Sequence, residues 1–393
     1  MVQGDQFSMQ ALQNSELVPI VAQVIDNPRI DSLDWQVQPV SGAGGGTRAG
    51  VVGLFRLSGS AKAAGQVYPW SVIVKVFSGS KPPGAPDFSQ VPSTWNYWKR
   101  EIMVYSSGIL SELAGNLIAP RCYGVMEHPN NEWRIWLEDI QETSKMWPME
   151  RHGLAARHLG QFNGAYLASR ALPQEQPWMY RGRAGDWIKQ AAPMFERFQQ
   201  YAASVSGQRW LTEQSVERMQ RLLLNHQSLL ALLATLPVCL CHHDAFRRNL
   251  LARDDLRAQT VAIDWSMLGY GGVGEEVGIT TAIALSWLEV TGDQAREMDR
   301  LTFASYVDGL RDAGWQGDAR LARFGYTTTA SLVVGVTWAI FMGANAFSTD
   351  EGVRSLESVI GFKLDDILEQ WAIVQPFLLD LGDEALQIMD EMG

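Results

Sequence analysis

Cys241-His242-His243-Asp244-Ala245-Phe246-Arg247-Arg248-Asn249-Leu250-Leu251, followed by Val261-Ala262-Ile263-Asp264-Trp265, is the stretch on which the fold reading turns. It supplies an Asp, an Asn five residues later, and a second Asp fifteen beyond that, closing an apolar run. Each has an ordinary structural explanation: an Asp capping a turn, an Asn in a turn, an Asp at a strand end. Together, two carboxylates and an amide on neighbouring loops can hold Mg²⁺ and orient a hydroxyl, which is what phosphoryl transfer requires.

Working outward, 393 residues exceed the usual size of one domain and predict two. Hydrophobic residues at 46% and charged ones at 19% describe an ordinary globular protein. The net charge of −11 argues against a nucleic-acid partner, which needs a basic face. Three cysteines (Cys122, Cys239 and Cys241) make no disulfide framework and point to a reducing, cytoplasmic setting. The N-terminus lacks the basic and apolar regions of a signal peptide. Ser331 to Phe347 is largely apolar and near the length of a membrane span, but Thr337, Asn345 and several glycines favour a buried helix. A membrane anchor is the alternative.

Along the chain, Asp34 to Val40 and Gly50 to Leu57 alternate about a glycine-dense turn and predict a hairpin. Trp70 to Phe77 is a β-branched strand carrying Lys75, Trp98 to Leu113 has helical spacing, and Trp133 to Leu137 returns to strand. After Glu142 the pattern turns helical, with Ala155, Leu159, Phe162 and Tyr166 on one stripe. Cys239-Leu240-Cys241 lacks the spacing of a zinc site and is a buried strand leading into the motif.

The loops resemble those of the aminoglycoside phosphotransferase and choline kinase group of small-molecule kinases. His242-x-Asp244-x-x-x-x-Asn249 matches the kinase pattern H-x-D-x-x-x-x-N, and Ile263-Asp264-Trp265 is the context in which that group carries its metal Asp. No A-P-E segment follows, which sets the chain apart from protein kinases. The resemblance implies an α+β, two-lobed protein-kinase-like fold, with a β-rich N-terminal lobe over 1–138 and a mainly helical C-terminal lobe over 139–393. It implies that Asp244 takes the acceptor hydroxyl's proton or orients that hydroxyl, and that Asn249 and Asp264 hold Mg²⁺. Lys75, in Val72-Ile73-Val74-Lys75, matches the strand Lys that meets the ATP phosphates, with Glu101 as its partner and Glu112 as the alternative. Gly44, Gly45 and Gly46 stand where the phosphate-covering loop belongs. Glu138 and Ile140 stand where backbone groups meet adenine.

Gly269 to Val277 resembles the family's G-x-G-x-x-x-D tail, with Glu276 in place of the Asp that braces the catalytic loop. His243 stands where the family commonly has Gly, and whether it touches substrate or points outward is open at this stage. Trp338, Phe341 and Asn345 are either acceptor-pocket residues or core. The expected function is ATP- and Mg²⁺-dependent phosphorylation of a hydroxyl on a small molecule, with no nucleic-acid, membrane or obligate protein partner. A pseudokinase that binds nucleotide or ligand without turnover is the rival; the presence of Lys75, Asp244, Asn249 and Asp264 speaks against it.

Overall fold

The computed structural model describes residues 12–40, 50–80, 88–142, 146–253 and 258–392. In chain order, helix α1 (Asn14–Val24) precedes strands β1 (Ser32–Pro39), β2 (Val51–Ala63) and β3 (Gln66–Ser78). Helix α2 (Arg100–Ser106) and strands β4 (Leu117–Ile118), β5 (Cys122–His128) and β6 (Glu132–Glu138) follow. Next come helices α3 (Met149–Ala168), α4 (Arg183–Ala191), α5 (Phe195–Ala202) and α6 (Glu213–Leu233). The motif-bearing region then holds strands β7 (Val238–Cys241), β8 (Leu250–Leu251), β9 (Thr260–Ala262) and β10 (Gly269–Gly272). The remainder is helical: α7 (Glu275–Ser286), α8 (Ala295–Asp312), α9 (Ala319–Thr329), α10 (Ala339–Ala344), α11 (Asp350–Ile360) and α12 (Leu364–Met392).

These elements form two compact units. The main boundary falls between residues 141 and 142, three residues beyond the sequence expectation, and two short segments trade sides: 113–118 joins the second unit and 176–178 the first. Local pairing explains both exchanges. Leu117 and Ile118 pair in parallel with Thr260 and Val261 of β9. The Trp178 carbonyl accepts a 2.6 Å hydrogen bond from Nε of the fully buried Arg100.

Among the described residues, the first unit holds an antiparallel sheet in the order β1-β2-β3-β6-β5. Strand alternation decides its chemistry. Val72, Val74 and Val76 face a core completed by Leu17, Ile20 and Val21 of α1 and by Trp136. Burying each of these side chains contributes about 1.5–3 kcal/mol. The intervening positions, Ile73 and Phe77, pack on the other side with Ile102 and Ile135. Lys75 shares that parity. The helix expected from Trp98 to Leu113 is shorter: α2 stops at Ser106, Gly108 takes a left-handed φ of 80°, and a 3₁₀ turn at Ile109–Glu112 follows.

In the second unit, α3 packs closely on α8 because glycines remove side chains at the crossing. A Cβ on Gly160 would lie 2.2 Å from the Tyr306 carbonyl oxygen, and one on Gly309 2.0 Å from that of Arg157. Most of the apolar stretch from Ser331 to Phe347 lies in one continuous helix, Ala319 to Ala344, long and apolar enough to cross a membrane, yet its apolar 18-residue window is 83% buried inside the protein. The buried-helix reading is therefore the one the fold adopts. Its middle, Ala330–Trp338, is π-helical, and Gln375 of α12 donates a 2.7 Å hydrogen bond to the Gly335 carbonyl there.

Candidate active site

The second unit assembles the two motif loops through His242. Its ring is buried against Trp265, with centroids 4.4 Å apart. Nε2 donates to the Ile263 carbonyl at 2.9 Å, while Nδ1 accepts the Asp244 N–H at 3.2 Å. One neutral tautomer satisfies both bonds and joins the residues before Asp264 to Asp244 itself. A second tie runs from the Ile263 N–H to the Asn249 carbonyl at 2.9 Å. Burial pushes the His242 pKa down to about 4.

Between that value and the ordinary 6.5, the unfolded chain binds a proton that the folded chain does not, so this group removes stability as pH falls from 6.5 toward 4. Buried His152 and His158 are lowered likewise, whereas burial raises Glu275, Glu276 and Glu289 to about 7 and gives the opposite slope. In His242→Gln the first contribution disappears. Moving from about pH 6.5 to 5 should then change its stability more favourably than wild type's by ~2 kcal/mol, from about 1.4 kcal/mol per unit. Thermal melts of both proteins across that range check the sign.

His243 does not point outward. It takes φ 63°, a backbone shape that favours glycine, which fits the family's preference at this position. The side chain is buried, Nε2 donates to the Tyr270 carbonyl at 3.1 Å, and the ring meets Tyr180 edge-on. The ring leaves room for nothing larger than glycine at 271, where a Cβ would come 2.8 Å from His243 Cε1. The His243 N–H donates to Glu276 Oε2 at 2.8 Å, and Asn163 reaches Oε1 at 3.5 Å. Glu276 thus braces the loop that carries Asp244 from the first turn of α7, its longer side chain spanning the distance.

Asp244 stands a quarter exposed at the loop's tip. Asn249 donates from Nδ2 to both the Asp244 carbonyl (2.9 Å) and Oδ2 (3.0 Å). Oδ1 receives Nη2 of Arg183 at 3.1 Å. Arg183 opens α4 and is 5% exposed; sequence reasoning missed it. One signal was available: a cation at a helix's first position opposes the helix dipole, and the residue before it, Gly182, is left-handed. Asp264 follows β9 with φ 60° and ψ 64°, a conformation Asp tolerates better than most residues.

The oxygens of Asn249 and Asp264 form a hard donor set that suits Mg²⁺. Asn249 meets Asp244 through its nitrogen, so its oxygen is not the atom spent on that contact. The neighbouring sulfurs belong elsewhere: Cys239 and Cys241 are fully buried in β7, 3.6 Å apart.

In the first unit, Lys75 of β3 meets Glu101 of α2 at 2.5 Å, both buried. The geometry selects Glu101 over Glu112. Glu101→Ala removes the carboxylate from the buried pair and is expected to cost about 3–5 kcal/mol, whereas replacing both partners with apolar residues should recover most of the loss. Unfolding midpoints of the single and double variants test this. At the end of β6, the Glu138 N–H donates to the Arg121 carbonyl at 2.9 Å, and Asp139 is clamped by Arg56 at 2.8 and 2.9 Å. The Glu138 N–H thus belongs to the edge of the sheet. Gly44, Gly45 and Gly46 lie outside the described residues.

Trp338, Phe341 and Asn345 do not form one lining. Trp338 packs on Trp287 and borders a small cavity with Trp210 and Trp371. Phe341 packs on Trp187, and Asn345 accepts from Arg197 at 2.8 Å. The π-helical stretch and the end of α10 at Ala344 break the single helical face their spacing suggested.

Comparison with known proteins agrees with the loop geometry. Residues 143–315, which include both motif loops, match the sequence model of the phosphotransferase enzyme family. No curated protein matches the chain. Among solved structures, an aminoglycoside phosphotransferase from Alicyclobacillus acidocaldarius is similar at 14% identity, covering 94% of this chain and 96% of that one, with a TM-score of 0.52. A choline kinase from Cryptosporidium parvum is similar at 11% identity, covering 95% and 97%, with a TM-score of 0.51. The fold is the protein-kinase-like one these enzymes share, and that likeness of fold covers nearly the whole chain.

Proposed function

We propose that this protein is a small-molecule kinase that transfers the γ-phosphoryl group of ATP, with Mg²⁺, to a hydroxyl. The observation that carries the reading is the pairing of the catalytic and metal loops through His242, which brings Asp244, Asn249 and the residue before Asp264 into one hydrogen-bonded group. In this reading Asp244 holds the acceptor hydroxyl and takes its proton as the new bond forms. Asn249 fixes the Asp244 carboxylate while lending its oxygen, with Asp264, to the metal. Mg²⁺, when bound, neutralises charge on the phosphate oxygens. Lys75, aimed by Glu101, meets the nucleotide phosphates, and backbone groups around Glu138 and Ile140 meet the adenine edge. A cytoplasmic setting, where ATP and Mg²⁺ are abundant, suits the reading.

The choline kinase and the aminoglycoside phosphotransferase span two acceptor classes, so the fold leaves the acceptor open. An ATP-consumption screen against hydroxylated antibiotics, amino-alcohols and sugars tests the activity. Mg²⁺-dependent ADP release stimulated by one acceptor class supports it. Nucleotide binding without turnover across the panel, with Asp244 variants indistinguishable from wild type, would favour the pseudokinase.

A further inference from the structure

Arg183 has no place in the roles derived so far. Its side chain is 5% exposed, and one nitrogen, Nη2, reaches Asp244 Oδ1 at 3.1 Å. Nε and Nη1 are buried and, among the described residues, make no hydrogen bond. A buried cation with two unanswered donors is unfavourable in a folded chain unless a ligand answers them. A purely structural brace for Asp244 needs neither the burial nor the fork. The charge is also felt by His242, Glu275 and Glu276, all packed around the same loops. The fold therefore holds a rigid, permanently charged, planar donor beside the group that meets the acceptor hydroxyl.

We propose that Arg183 is a catalytic residue whose Nε and Nη1 hold the oxygens of the phosphoryl group as it passes to the acceptor. The inference rests on the phosphotransferase reading and gives that site a further member. In the transfer, the bond from γ-phosphorus to the bridging oxygen breaks and ADP leaves with the electron pair. The acceptor oxygen bonds to phosphorus, and its proton goes to Asp244. Arg183 gives up no proton; it meets charge on the equatorial oxygens, the role an arginine finger plays in other phosphoryl transfers. Its bond to Asp244 keeps donor and base in fixed register, which preorganised electrostatic stabilisation requires.

The test compares Arg183→Gln and Arg183→Lys with Arg181→Gln, a control at an exposed neighbour paired with Glu175. Two readouts are used: turnover with the acceptor identified above, and the rise in unfolding temperature that inorganic phosphate gives the nucleotide-free, metal-free protein over chloride at equal ionic strength. Arg183→Gln should lose about 10²–10³-fold in kcat, the scale of one removed transition-state donor, with little change in KM for ATP. It should also lose the phosphate shift without a lower unfolding temperature in chloride. Arg183→Lys should recover part of both losses, and the control should keep both.

Retention of kcat within about threefold in Arg183→Gln overturns the proposal. So does a phosphate shift unchanged in that variant. A fall in unfolding temperature of both Arg183 variants, with the phosphate shift intact in Arg183→Lys and turnover falling only with stability, marks a structural brace and overturns it as well. If wild type transfers no phosphoryl group to any acceptor, the parent reading fails. A phosphate shift that disappears with Arg183→Gln would then still establish the anion site.

Discussion

Asp244→Asn should lower kcat by about 10²–10⁴-fold, the usual range for removing a positioned base, while leaving Mg²⁺-nucleotide affinity within about threefold of wild type. The substitution keeps shape and removes charge. Nδ2 of Asn249 donates to Oδ2 of the carboxylate and Nη2 of Arg183 to Oδ1. An amide offers only one oxygen, so one donor is left facing an NH₂ group. The variant thus loses the proton acceptor and loosens the register of its neighbours, yet the ties from His242 and Glu276 to the loop backbone survive. Steady-state kinetics together with nucleotide titration separate the two effects. Equal loss of binding and turnover would contradict the role assigned to Asp244.

Asp264→Ala should behave differently and lose Mg²⁺-nucleotide affinity as well as turnover. The fall in affinity should exceed the ~10–100-fold that even outer groups of a metal site carry. Ala at φ 60° also carries backbone strain, so Asp264→Asn is the informative companion. Asn tolerates the left-handed backbone and removes only the charge. If both variants lose the Mg²⁺-dependent part of nucleotide binding, the carboxylate is responsible. If Asp264→Asn binds as wild type does, the metal role falls.

Local patterns made the strands, the two motif loops and the buried helix legible. Lys75 is the clearest case: β-branched alternation across Val72, Val74 and Val76 fixed its parity, and burial among apolar neighbours called for an anion, which Glu101 supplies. The contacts that hold the site together were not legible, because they link residues far apart in the chain. Nothing adjacent to Arg183 announces that it will reach Asp244, sixty-one residues away. His243 could not be placed because its orientation depends on a left-handed backbone and on Tyr270 and Glu276. The bond from the Glu138 N–H to the Arg121 carbonyl was not legible either, because it belongs to the β5–β6 edge of the sheet rather than to the Leu137-Glu138-Asp139 motif. Where geometry was set by chain-local periodicity the sequence sufficed; where it was set by tertiary hydrogen bonds it did not.

On the proposed kinase reading, Asp264 and Asn249 serve the nucleotide's metal while Asp244 serves the acceptor. Calorimetric titration of wild type, Asp244→Asn and Asp264→Asn with a non-hydrolysable ATP analogue, with and without Mg²⁺, tests it most directly. The expected result is Mg²⁺-dependent binding by wild type and Asp244→Asn, and its loss in Asp264→Asn. Failure of wild type to bind the analogue with Mg²⁺, or identical binding by all three proteins, would contradict the account.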